Sequence, residues 1–138
     1  MKIPIEYSLN KFGLPLIVTS SKPNLCFLID TGATHNIVFS YVYEELPQYF
    51  STLQDTSCLM GIEGTKQEVS QVEALISFDN KESRVTFSVM EANAAILQVQ
   101  KESGVQIHGI LGIPYPFLWK IIYYYSVDYK LYIVLMLY

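Results

Sequence analysis

The chain runs apolar from Cys26 through Phe27, Leu28 and Ile29, then stops on a carboxylate, Asp30. Thr31, Gly32, Ala33 and Thr34 follow at once, and after His35 and Asn36 comes a second apolar pair, Ile37 and Val38. Three large apolar residues in a row read as a buried strand with no wet face. Aspartate is rarely buried in full without a partner, so Asp30 at the inner end of such a strand is either wasteful or functional. Gly32 lets the backbone turn sharply and approach whatever Asp30 faces. The hydroxyls of Thr31 and Thr34 can bond neighbouring backbone and stiffen the turn. At this point an aspartate that merely caps a turn at a strand end explains the stretch as well as a reactive one does.

Length and composition narrow the field. With 138 residues the chain is expected to form one domain, residues 1–138. A chain of this size buries roughly two-thirds of its unfolded surface, enough for a core without covalent staples. It is 51% hydrophobic, a surplus that suggests a surface buried against a partner. A net charge of -4, with Lys and Arg scattered, gives no basic stripe and argues against nucleic acid. Cys26 and Cys58 are too few and too far apart for a zinc site or a disulfide framework, and both read as reduced core thiols. The first residues hold no long apolar run of the signal-peptide kind, so a cytoplasmic location is the default expectation.

Taken in order, Ile3, Ile5 and Tyr7 alternate with polar residues and predict a strand, closed by a turn at Asn10–Gly13. Residues 14–19 predict a second strand and residues 25–29 the one that delivers Asp30. Ile37 to Phe39 predict another, followed by a short helix over residues 40–46 that Ser40 caps and Pro47 ends. Residues 47–57 look polar and irregular. Leu59 to Val69 predict a hairpin with Gly61, Ile62, Glu63 and Gly64 at its tip. Val72–Phe78 and Val85–Val89 alternate around a turn at residues 79–82, a second hairpin. Residues 92–101 predict a helix that stops near Ser103 and Gly104. Then comes Ile107-His108-Gly109-Ile110-Leu111-Gly112, an apolar strand whose glycines permit close backbone approach, and Phe117-Leu118. The final apolar run, residues 131–138, is far shorter than the about twenty residues that a membrane-spanning helix needs, so it predicts a strand and no membrane span.

Two families carry loops like the first stretch. Actin-type and sugar-kinase ATPases have phosphate loops of the form Ile-Asp-x-Gly, but those folds are much longer and repeat the loop in a second domain. Leu28-Ile29-Asp30-Thr31-Gly32-Ala33 with its following apolar pair closely resembles the active-site loop of the retropepsin-like aspartic proteases, bacterial single-domain members included. The late Gly109-Ile110-Leu111-Gly112 segment is similar to a second motif of that family, and the order of loop, glycine hairpin, β-hairpin, helix and closing strands matches too. Tyr115-Pro116 departs from the pattern like an insertion of about two residues.

The resemblance implies a mainly β fold, a retropepsin-like closed β-barrel with one or two short helices. It implies an aspartic endopeptidase that needs no metal and no cofactor. Aspartic proteolysis requires two carboxylates on one water, and this chain has a single Asp-Thr-Gly, so the implied enzyme is a homodimer with two Asp30 side chains across a twofold axis. In that picture Asp30 is acid and base, Thr31, Gly32 and Ala33 complete the loop, Gly61 to Gly64 form a flap over an extended peptide or protein substrate, and Gly109, Ile110, Leu111 and Gly112 wall the site. His35 and His108 lie near the same region, but no third ligand stands at a metal-binding spacing. Two rivals stay open: a retropepsin-like peptide-binding or dimerisation module without catalysis, and a small β-protein whose Asp30 only caps a turn.

Overall fold

The computed structural model describes residues 2–4, 6–20, 22–30, 32–60, 66–78, 80–112, 119–125 and 131–137. The protein is mainly β, with a mixed seven-stranded sheet, a smaller three-stranded sheet and a few short helices. In chain order the elements are β1 (Lys2–Pro4), α1 (Glu6–Phe12), β2 (Leu16–Val18), β3 (Cys26–Ile29), β4 (Ile37–Phe39), α2 (Ser40–Glu45) and β5 (Ser51–Met60). They continue with β6 (Lys66–Phe78), β7 (Lys81–Met90), α3 (Ala94–Ser103), β8 (Gly109–Leu111), β9 (Trp119–Tyr125) and β10 (Leu131–Leu137).

The large sheet runs β2-β3-β8-β4-β7-β6-β5. β8 comes late in the chain yet lies between β3 and β4, the two strands that flank the Asp30 loop. It is parallel to β3, with Ile29 opposite Leu111, and antiparallel to β4, with Val38 opposite Gly109. β9 and β10 form an antiparallel pair that β1 joins through β10.

The core follows from side-chain alternation. Val72, Ala74, Ile76 and Phe78 point inward from β6, and Val85 and Phe87 from β7. Phe27 stacks on Phe87 at 5.5 Å, and Phe50 meets Phe87 edge-on at 6.4 Å, both favoured ring geometries. Cys26 lies in this core, and burial pushes its thiol up to about 11; such a thiol is inert at neutral pH. α3 ends where expected, with Gly104 closing the helix at φ 71°, but it starts two residues later than expected because Asn93 caps it: Asn93 Oδ1 accepts the Ile96 N–H at 2.9 Å. Among the described residues no helix is long and apolar enough to cross a membrane.

Four expectations are corrected. The expected strand through Tyr7 ends at Pro4, and Glu6 opens α1 instead. Gly13, at φ 70°, supplies the left-handed stop for a helix, and the buried Ser8 hydroxyl accepts the Leu16 N–H at 3.1 Å, tying that helix to β2. Ser40 is inside α2 rather than its cap, because Phe39 holds the cap position with an extended backbone and donates its N–H to His108 O at 3.0 Å. The stretch expected to be irregular holds a single 3-10 turn at Pro47–Tyr49 and then β5. β5 reads as polar because it is an edge strand, with Ser51, Thr52 and Gln54 facing water.

The fourth correction concerns closure. The seven-stranded sheet is open, not a closed barrel: among the described residues β2 and β5 each pair on one side only. β5 covers β6 as far as Glu73 and no further. Beyond it, the Ser20 N–H just after β2 donates to Ser77 O at 2.7 Å, with the two serine hydroxyls 3.0 Å apart. The sheet thus curls until its ends touch through one backbone bond, because a three-residue β2 is too short to form a ladder there. Phe117-Leu118, like the Tyr115-Pro116 departure, lies outside the described residues.

Candidate functional site

β3 ends at Ile29, and the loop from Asp30 to Asn36 carries the chain round to β4. Its turn is built by Asp30 itself. Asp30 Oδ1 accepts the Gly32 N–H at 2.9 Å, and Asp30 O accepts the Ala33 N–H at 3.1 Å. A side chain bonding the backbone two residues on is an Asx turn, which aspartate forms readily. The carboxylate is exposed. Burial of Asp30 was the expectation from its apolar neighbours; the residue stands one step beyond the buried strand and carries no desolvation cost in the single chain.

β8 crosses behind the loop and holds both ends of it. Asp30 N–H donates to Leu111 O at 3.0 Å. At the other end, Asn36 Oδ1 accepts the Gly112 N–H at 3.0 Å. The fit leaves no room for side chains on the glycines. A Cβ at Gly112 would lie 2.5 Å from Ala33 O and 2.7 Å from His35 O. At Gly109 it would lie 2.1 Å from Ile37 O and 3.0 Å from the Phe27 ring.

The structure therefore brings Asp30, Gly32, Ala33, Gly109, Ile110, Leu111 and Gly112 into one neighbourhood. Leu111 is wholly buried, so its side chain belongs to the core and only its carbonyl meets the loop. Ile110 is half-buried and packs against that core as well. Thr31 and the hairpin tip, Gly61, Ile62, Glu63 and Gly64, lie outside the described residues. The arms of that hairpin are paired up to Met60 opposite Lys66.

Two supporting groups escaped the sequence reading. Tyr41 on α2 donates its hydroxyl to Ile107 O, and Gln100 Oε1 on α3 accepts the Ile107 N–H at 2.7 Å. Together they fix the segment entering β8. His108 does the same from the sheet side: its Nδ1 accepts the Cys26 N–H at 2.9 Å, its own N–H donates to Cys26 O at 2.8 Å, and its carbonyl accepts from Phe39. An acceptor Nδ1 requires the neutral ring. Burial lowers the His108 pKa, against weaker upward pulls from its Cys26 bond and from Glu45.

That depression has a sign for stability. Above the ordinary histidine value of 6.5 both folded and unfolded chains hold a neutral ring, and the stabilisation is complete. As pH falls below that value the unfolded chain binds the proton first, so stability is lost through the folded pKa. In His108→Asn the amide oxygen replaces Nδ1 as acceptor and does not titrate. Urea unfolding should show wild-type stability falling more steeply than that of His108→Asn as pH drops below about 6.5; parallel curves would remove His108 from the account.

A cleft of about 320 Å³ is lined by Gln48, Tyr49, Ser51, Glu73, Leu75 and Arg84, with Arg84 and Glu73 ion-paired across it at 2.7 Å. None of these residues belongs to the Asp30 loop or to β8, so the cleft is separate from this site. Among the described residues no group of three His, Cys, Asp or Glu side chains is placed to hold a metal ion. No protein-family model matches the chain, and neither a curated protein nor a solved structure matches it.

Proposed function

We propose that the protein is an aspartic endopeptidase of retropepsin-like fold, active as a homodimer. One observation carries the reading above all: Asp30 presents an exposed carboxylate from a loop clamped at both ends by consecutive residues, Leu111 at the end of β8 and Gly112 just after it. A fixed acid beside Gly32 and Ala33, with no bulky side chain in the turn, suits a carboxylate that must share a water with another. The insertion of β8 between β3 and β4 supports the same reading, since it stiffens the loop from behind. A lone turn-capping aspartate has no need of that support.

Two Asp30 carboxyls about 3 Å apart across a twofold cannot both ionise. The protonated one polarises the scissile carbonyl, and the ionised one takes a proton from the attacking water. The pair titrates as a unit, so no single value belongs to either copy. The substrate is an extended peptide or protein segment, held by backbone hydrogen bonds beneath the hairpin of β5 and β6, with alternate side chains in pockets.

The test is cleavage of a diverse peptide library by the purified protein from about pH 3 to pH 7, the range in which such a pair holds one proton. Rates should rise more than in proportion to protein concentration until the dimer saturates. A peptide carrying a non-hydrolysable tetrahedral hydroxyl at the cleaved position should inhibit. No cleavage at any pH in a dimeric sample would overturn the reading in favour of a binding or dimerisation module.

A further inference from the structure

We infer that Asn36 is a positioning residue for Asp30. Its side chain is 3% exposed, and both halves of its amide are used. Oδ1 accepts the Gly112 N–H at 3.0 Å, and Nδ2 donates to Thr86 O at 3.4 Å on β7. Its backbone carbonyl accepts the Ser88 N–H at 2.8 Å. One residue thus ties the far end of the Asp30 loop to β8 on one side and to β7 on the other.

The chemistry of the side chain is what the position requires. Gly112 presents a donor and Thr86 an acceptor, so a group with one of each, on a single short stem, is needed. A carboxylate can meet Gly112 but cannot donate to Thr86, and an apolar side chain meets neither. Because Gly112 packs directly against Ala33 O and His35 O, any shift of Gly112 moves the turn that aims Asp30. Small displacements of a reacting group are expensive in rate: about 1 Å can cost roughly 100-fold.

The kinetic readout rests on the peptidase reading, so a second readout is chosen that does not. Asn36→Asp places a titrating group in the same shape. Deprotonated, it lacks the donor to Thr86; protonated, it has one. The expected result is a kcat roughly 10-fold or more below wild type near neutral pH, with KM within about 2-fold. The variant-to-wild-type ratio of kcat should recover as pH falls, a profile that loss of folded protein would not give. Asp30 and His35 stand in the same loop, and taking the ratio removes the pH effects that the two proteins share. In parallel, the Gly112 and Gly32 amide resonances of Asn36→Asp should move with the same midpoint as that recovery. A deficit that does not change with pH, or one that disappears after correction for folded fraction, would overturn the inference. If Asn36→Asp does not fold, the wild type alone decides: a Gly112 amide that exchanges with solvent as fast as an exposed loop amide removes the clamp. If the wild type cuts no peptide, the peptidase reading falls while the amide measurements still decide the role of Asn36.

Discussion

Asp30→Asn should abolish peptide cleavage and leave the protein folded and paired. The substitution is nearly isosteric, and the amide oxygen can accept the Gly32 N–H that Asp30 Oδ1 accepts at 2.9 Å. The backbone bonds from Asp30 N to Leu111 and from Ala33 N to Asp30 O do not involve the side chain. The residue is exposed, so the change should alter stability by no more than about 0.5 kcal/mol. Catalysis has no such tolerance. In the proposed homodimer both copies lose the carboxyl at once, and with it the proton donor and the proton acceptor of the proposed mechanism. A loss of about 10⁴-fold, the upper end of what a positioned acid–base group supplies, is the expected minimum. Parallel assays of both proteins at equal concentration, with thermal melts beside them, check the claim. Cleavage retained by a clean Asp30→Asn sample would sink the mechanism.

The parts legible in the sequence share a cause: each has its signal within a few residues. Alternation from Val72 to Val89 wrote the β6–β7 hairpin, and Gly104 wrote the end of α3. The Asp30 loop and the glycines of β8 were legible as a pattern of residue types whose backbone demands are severe. Where the signal conflicted locally, reading failed. Ile3, Ile5 and Tyr7 alternate like a strand, but Gly13 stops a helix, and α1 forms with the Ser8 hydroxyl locked to Leu16. The first part of β5 was missed because it is an edge strand whose residues Ser51, Thr52 and Gln54 face water.

Other features depend on partners far along the chain. Whether the sheet closes depends on strands far apart in sequence: β5 pairs with β6 only as far as Glu73, and beyond it the short β2 reaches β6 through the single backbone bond from Ser20 to Ser77. The role of Asn36 is set by Gly112, 76 residues away. Nothing beside Asn36 in sequence distinguishes a buried, doubly bonded amide from a polar residue in a surface turn. The exposure of Asp30 shows the same limit from the other side. Three apolar neighbours suggested a buried acid, while β3 ends at Ile29 and Asp30 is exposed.

Among the described glycines, Gly109→Ala should be the most damaging added methyl. β8 is paired on both sides here, to Phe27 of β3 and to Val38 of β4, so the added Cβ cannot swing away. It would sit 2.1 Å from Ile37 O, a backbone atom, and 3.0 Å from the buried Phe27 ring. Overpacking a well-filled core costs about 1–3 kcal/mol, and a clash with fixed backbone belongs at or above the top of that range. Against a total of about 5–15 kcal/mol, that is a large share of what holds the fold. The melting temperature should fall by about 10 °C or more. Gly104→Ala makes the matched comparison. It has a left-handed φ of 71° but open space around it, so only a backbone penalty of about 1 kcal/mol applies. Gly109→Ala should therefore melt well below Gly104→Ala. If it melted within about 2 °C of wild type, β8 would not lie between β3 and β4 as described. The Asp30 loop would then lose the strand that clamps it, and the case for a reactive carboxylate there would lose its structural support.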